Sequence, residues 1–356
     1  STSVSESGST DTFTIVLNAQ PDSNVVFIVS SSDTGEATVN TPFTFSTENW
    51  NIPRTVTVTG ADDNIIDGTI TSTITVAVVD AASDDNFDGV ADQTVSTTTT
   101  DNDTAGFTIT ETGGSTSVSE AGTTDTFTIV LDAQPASDVV LTVTSGDTGE
   151  ATVNSPLTFT AANWNTPQTV TITGVNDNLV DGTITSTVTV AVNDGSSDNN
   201  FDPVADQTVS VSTTDNDTAG FTITETGGST AVAETGSTDT FAVVLDAQPT
   251  SDVVISITSS DTGEATVSGS LTFTPANWNS GQTVTITGVD DSIIDGTITS
   301  TITAEIVDVI SDDDFDTVAN QTVSATTTDN DTAGFTVTQS GGSTSVSEAG
   351  TTDTFT

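Results

Sequence analysis

The chain of 356 residues sets 51 acidic side chains against one basic one, Arg54, for a formal net charge of −50. That surface repels nucleic acid and anionic lipid, and it resists its own compaction unless cations bind. Cys, His, Lys, Tyr and Met are all absent, which rules out disulfides, Lys crosslinks, Schiff bases and the usual nucleophile–base pairs. Carboxylates and hydroxyls remain as the only groups for chemistry. No apolar run reaches membrane-spanning length, so no membrane insertion is expected of this segment.

The chain is periodic. Trp50, Trp164 and Trp278 recur at a spacing of 114 (164 − 50 and 278 − 164), and Thr-Ala-Gly-Phe starts at 104, 218 and 332 with the same spacing. A period of that length is a domain, not a short solenoid repeat. The boundaries follow: 1–103 is a first repeat lacking its opening strand, 104–217 and 218–331 are complete repeats, and 332–356 holds the opening strands of a fourth. Three periods leave 14 residues over (356 − 3 × 114), as expected of a segment of a longer periodic protein.

Within the second repeat, 106–110 reads as a first strand, broken by Gly113-Gly114, and 115–120 as a short second piece. Residues 126–131 turn Phe127, Ile129 and Leu131 to one face and Thr128 and Val130 to the other. Pro135 turns the chain into 138–144, and short strands follow at 151–153 and 157–160. Residues 168–173 lead into an acidic loop and 183–192 leave it; a polar stretch, 193–206, precedes the last strand at 208–213. Seven or eight short strands with regular turn signals and no helical periodicity predict an all-β fold: tandem antiparallel β-sandwich domains, each on the order of 40 Å long, in an elongated array. Trp164 is expected to plug the core beside its turn, and Phe87, Phe201 and Phe315 to anchor the polar loop.

The acidic loop carries the chemistry. Gly60-Ala61-Asp62-Asp63-Asn64-Ile65-Ile66-Asp67-Gly68 returns at 174–182 with Asp177 and Asp181, and at 288–296 with Asp290, Asp291 and Asp295. Carboxylates this close repel unless one is protonated or a cation sits between them. Hard oxygen donors on a loop suit Ca²⁺. The bland alternative is a set of solvated loop acids, and for an isolated Asp that is the better reading. Their joint recurrence favours a metal.

Val-Ser-Glu before a Thr/Phe strand, the Asp-Asp-X-X-X-Asp-Gly loop and the closing Asp-Asn-Asp together resemble the Calx-β domain family. The Thr-Phe-Thr-X-X-Asn-Trp-Asn-X-Pro segment is similar to the tandem Calx-β-like repeats of large bacterial surface proteins and adhesins. The resemblance covers essentially the whole chain and implies an Ig-like sandwich with Ca²⁺ at the end facing the next domain. It implies as ligands Glu6, Glu120, Glu234 and Glu348, the loop acids Asp62, Asp63, Asp67, Asp177, Asp181, Asp290, Asp291 and Asp295, and the closing acids Asp101, Asp103, Asp215, Asp217, Asp329 and Asp331. Asp33, Asp147 and Asp261, in Asp-Thr-Gly-Glu, match less closely. The chain departs from the family in closing with Asp-Asn-Asp and in carrying Asn176 in the second loop, so fewer or weaker ions are implied. Asn102, Asn216, Asn330 and Asn320 also fit glycosylation sequons, although a turn or metal-loop role is the preferred reading.

The reading these features support is a secreted structural protein: a calcium-stiffened stalk or filament of a bacterial surface fibre or adhesin. Its partners would be neighbouring repeats or identical chains in a fibre. One alternative is an acidic spacer of a halophile without specific ion sites. Another is a filament subunit polymerising by strand donation, with 335–338 completing the opening domain of the next chain; the duplication of 1–14 at 343–356 argues against it. A carbohydrate-active enzyme built on paired carboxylates is disfavoured by the scarcity of stacking aromatics.

Overall fold

A computed structural model of the chain describes residues 1–354. Backbone contacts divide it into two units, Ser1–Asn176 with Thr185–Thr214, and Asp177–Ile184 with the chain from Asp215 onward. The fold is all-β, a tandem array of Ig-like sandwiches whose only helical pieces among the described residues are 3-10 turns of three residues. Among the described residues, no helix is long and apolar enough to cross a membrane.

The second repeat shows the complete pattern. Its smaller sheet orders Ala151–Val153, Gln168–Gly174, Thr124–Leu131 and Phe107–Glu111, all antiparallel. Its larger sheet orders Thr116–Ser119, Gln207–Thr214, Thr183–Val192, Val139–Ser145 and Leu157–Phe159. The expectation of wholly antiparallel sheets needs one correction: Thr116–Ser119 runs parallel to Gln207–Thr214, pairing Thr116 with Val211 and Ser119 with Thr214. That pairing joins residues nearly a full repeat apart, so no hairpin signal announces it.

Alternating residues point between the sheets because side chains flip faces at every step along a strand. Phe127, Ile129, Leu141, Phe159, Val170, Ile172 and Val190 are completely buried there. Phe201 and Phe315 are buried as anchors of the polar loop, and Trp50, Trp164 and Trp278 pack half-buried against their cores. The third repeat copies this layout. The first has a three-stranded smaller sheet, Thr10–Ile15, Arg54–Gly60 and Ala37–Val39, and lacks the outer strand. The opening strand expected at 335–338 is not formed. Extended chain without a neighbour leaves its backbone donors and acceptors to water and gains no sheet.

Candidate metal centre

Two glycines shape the ground for the carboxylates. At Gly60, the last residue of strand Arg54–Gly60, an added Cβ would lie 2.0 Å from the Ser5 carbonyl oxygen. Only glycine lets this strand end pass so close to the residue before Glu6. Gly68 closes the acidic loop with φ +75°, a left-handed conformation that favours glycine. Gly174 and Gly288 repeat the first approach, and Gly182 and Gly296 the second.

In the first repeat, four chain segments then converge. Glu6 follows strand Thr2–Ser5 and is fully buried, its N–H donating to the Thr100 carbonyl at 3.1 Å. Glu36, 5 % exposed, ends the Asp-Thr-Gly-Glu turn, and its carbonyl accepts the Ala61 N–H at 2.8 Å. Asp101 Oδ2 accepts the N–H groups of Asp67 (3.1 Å) and Gly68 (2.9 Å), which ties the closing acids to the loop. Its other oxygen accepts Asp103 N–H at 2.6 Å. Asn102 donates its backbone N–H to Glu6 Oε2 (3.2 Å) and its side-chain amide to Asp62 Oδ1 (3.0 Å).

Carboxylate oxygens of Glu6, Glu36 and Asp67 come within 4.8 Å of one another, and those of Glu6, Asp101 and Asp103 do the same. Glu6 belongs to both groups, so one carboxylate can serve two cations. Glu6 Oε1, Glu36 Oε2 and Asp103 Oδ2 are buried with no hydrogen-bond partner among the described residues. Burying carboxylates so costs several kcal/mol each unless a proton or cation compensates. The sole basic side chain does not: Arg54 lies with its guanidinium 6.0 Å from the Phe45 ring centre. Burial, then Asp67 and Glu6, push Glu36 up to about 7. Burial likewise raises Glu6, Asp67 and Asp103 above their ordinary values, reinforced by neighbouring carboxylates. A set of hard oxygens short of protons and cations fits Ca²⁺.

The third repeat is alike. Glu234, Glu264 and Asp295 form a group within 4.8 Å. Asn330 donates to Glu234 Oε2 (3.1 Å) and to Asp290 Oδ1 (2.7 Å), while Asp329 accepts from Gly296 (2.9 Å) and Asp331 (2.6 Å). Glu234 Oε1, Glu264 Oε2 and Asp331 Oδ2 are again buried without a partner among the described residues. In the second repeat, Glu120 and Glu150 are buried in the first unit, and Asp177, Asp181, Asp215 and Asp217 belong to the second. There Asp215 accepts from Asp181 (3.1 Å), Gly182 (3.0 Å) and Asp217 (2.6 Å), so the same tie between loop and closing acids recurs.

Several of the expected residues also accept hydrogen bonds within their own turns. Asp33, Asp147 and Asp261 each accept the N–H of the glycine two residues on, at 3.0 Å, and so shape the turn before the glutamate. Asp63, Asp177 and Asp291 accept the N–H of Ile65, Leu179 and Ile293 within the loop. Glu348 is exposed in a stretch that forms no strand. The buried glutamates Glu36, Glu150 and Glu264 were not anticipated. Their signal was present, since the glutamate of Asp-Thr-Gly-Glu recurs in register just before strands Ala37–Val39, Ala151–Val153 and Ala265–Val267.

The acidic loop also makes a contact of a different kind. In the first unit, Gln134 of the second repeat donates its N–H to the Asn64 carbonyl (2.7 Å) and accepts from Ile66 N–H (3.3 Å), a one-residue parallel bridge opposite Ile65. Asn200 adds a bond from its side-chain amide to the Ile66 carbonyl (3.1 Å), and the Ile66 side chain packs on the second repeat's core. In the second unit, Gln248 does the same with Asn178 (2.7 Å) and Val180 (3.0 Å), and Val180 joins the third repeat's core.

No family model matches the chain, and no curated protein matches it in sequence. Among solved structures, CBD12 from CALX1.2 aligns over 55 % of this chain and 79 % of its own, at 14 % identity and TM-score 0.24. Surface layer protein SbsC, domains 4–9, aligns over 91 % of this chain and 42 % of its own, at 17 % identity and TM-score 0.27. The titin I-band fragment I67–I69 aligns over 93 % and 95 %, at 10 % identity and TM-score 0.29. None of them carries a site over to this chain.

Proposed function

We propose that the chain is a structural, extracellular repeat segment, a calcium-stiffened stalk or filament of a bacterial surface fibre or adhesin. The observation that carries this reading is the double use of one loop. Asp63 and Asp67 flank Asn64, Ile65 and Ile66, the residues that dock on the second repeat. A cation held by Glu6, Glu36 and Asp67 fixes the loop against its own domain, and the docked residues then pass that restraint to the next. Glu6, Asp101 and Asp103 would hold a second ion. Bound Ca²⁺ supplies the positive charge these buried acids otherwise lack. The task of the carboxylates is structural, not catalytic.

Extracellular modules of this kind bind calcium at roughly 10⁻⁴–10⁻³ M, which suits millimolar calcium outside a cell. At about 100 times Kd, one ion stabilises the fold by about 2.7 kcal/mol. For a repeat of this size that is a rise on the order of 10 °C in melting temperature. Calorimetry in calcium and in EDTA tests it, with sodium at matched ionic strength as the control for mere charge screening. Equal melting in calcium and EDTA defeats the proposal, and an equal gain from sodium favours a non-specific acidic spacer.

A further inference from the structure

The joints onto the second and third repeats share their backbone bonds and differ in one side chain. The polar loop that reaches each joint is held alike. Asp198 accepts the N–H groups of Ser137 (2.9 Å) and Asn200 (3.0 Å), and Asp312 accepts those of Ser251 (2.6 Å) and Asp314 (3.2 Å). Both aspartates are buried, and the phenylalanine after each turn, Phe201 or Phe315, is fully covered. The turns therefore carry Asn200 and its counterpart one period on, Asp314 (314 − 200 = 114), to equivalent places. At the first joint the Asn200 amide donates to the Ile66 carbonyl at 3.1 Å. At the second joint Val180 stands for Ile66 (180 − 66 = 114) and Asp314 for Asn200. An ionised carboxylate only accepts, so it has no hydrogen for a carbonyl.

The change also brings a charge to the joint. Desolvation, then Asp312, Asp313 and Asp215, raise the Asp314 carboxyl above its ordinary value. Asp215 belongs to the closing acids of the second repeat and accepts the N–H groups of Asp181 and Gly182 in the acidic loop. A negative charge of the third repeat thus stands close to the acids that end the second. The second acidic loop is also the one with Asn176 where the first has Asp62 and the third Asp290. One carboxylate is missing from that loop, and the following repeat brings one to it.

We propose that Asn200 and Asp314 are positioning residues that set how far each joint depends on calcium, Asp314 making the second joint the more sensitive one. The inference rests on the calcium reading above and adds to it a difference between joints. Without the ion, Asp314 meets like charge at Asp215, and the docking of Gln248 on Asn178 and Val180 is held against that repulsion. With an ion bound among Asp177, Asp181, Asp215 and Asp217, the repulsion falls and Asp314 gains a cation to face. The Asn200 amide keeps its bond to Ile66 in either condition. On losing calcium the second joint therefore loosens before the first, and bending starts at one place in the array.

Hydrogen exchange at the Gln134 and Gln248 amides, which donate to the Asn64 and Asn178 carbonyls, reads the two joints separately. It is measured on the full chain in calcium and in EDTA, with sodium at matched ionic strength. The step in protection from EDTA to calcium is expected to be about threefold to tenfold larger at Gln248 than at Gln134, the worth of one hydrogen bond. Asp314→Asn is expected to raise Gln248 protection in EDTA by the same factor and to bring its step down to that of Gln134. Asn200→Asp is expected to do the reverse at Gln134. Both positions are exposed, so the sandwiches themselves should fold unchanged. Equal steps at the two amides, a Gln248 step that Asp314→Asn leaves as it was, or a Gln134 step that Asn200→Asp does not enlarge overturns the proposal. If calcium still raises the melting temperature in that event, the calcium reading stands and only this one falls; equal melting in calcium and in EDTA sinks both.

Discussion

The Gln134 N–H reaches the Asn64 carbonyl at 2.7 Å, a bond between a turn of one repeat and the acidic loop of the one before. It lies in the midst of the carboxylates, one residue from Asp63 and three from Asp67. The packing of Ile66 on the neighbouring core makes the contact part of a joint. Ile66→Ala removes that apolar insertion, and for a half-buried side chain a loss of about 1–2 kcal/mol is expected. Hydrogen exchange at the Ile66 and Gln134 amides is the readout, and unchanged protection in calcium would show that the joint does not depend on this side chain.

Glu36→Gln keeps the shape of the side chain and removes its charge. In EDTA the variant should melt higher than the parent, because a buried carboxylate with no cation is relieved. In calcium the order should reverse, since a ligand of the ion is weakened. A variant that responds to calcium as the parent does would take Glu36 out of the ligand set.

Acid should favour the metal-free protein over part of the range. Glu36 is raised from an ordinary 4.5 to about 7, so the folded state holds its proton more tightly than the unfolded chain. Stability is then highest below pH 4.5, falls as the pH climbs towards 7, and levels off above it. Glu6 and Asp67, raised by burial in the same cluster, add to the fall. Melting in EDTA across this window is expected to show the drop, with calcium to remove it and Glu36→Gln to flatten it.

Gly60→Ala tests the approach that brings Glu6 to the loop. Its new methyl would meet a backbone oxygen at 2.0 Å, which cannot rotate away. Strand end and Glu6 must separate, at a cost of about 1–3 kcal/mol. Calcium affinity at the first repeat should fall with it. Gly68→Ala disturbs only a backbone angle in open space and should cost less.

Much of the sandwich was legible because its strands obey a strict alternation. The strand predicted at 183–192 is Thr183–Val192, and that at 168–173 ends one residue later, at Gly174. The parallel pairing of Thr116–Ser119 was hidden, since alternation says which face a residue takes but not which distant strand lies beside it. The loop acids declared themselves by crowding. Glu36 did not, as its turn lies 30 residues from Glu6 and 31 from Asp67 in sequence, and only folding brings them together. Only Pro135 marks the turn in the sequence; Gln134 beside it gives no sign of its contact, because backbone donors and acceptors leave no mark in a sequence.

Arg54 opens the central strand of the first repeat's smaller sheet, flanked by Thr10–Ile15 and Ala37–Val39, while its counterparts in the later repeats are Gln168 and Gln282. Trypsin therefore has a single place to cut, at the start of a strand paired to Thr10–Ile15, so cleavage is expected to quicken when this one sandwich opens. The rate of that cleavage reports the breathing of the first repeat alone, so the chain carries its own gauge of whether calcium holds that domain shut.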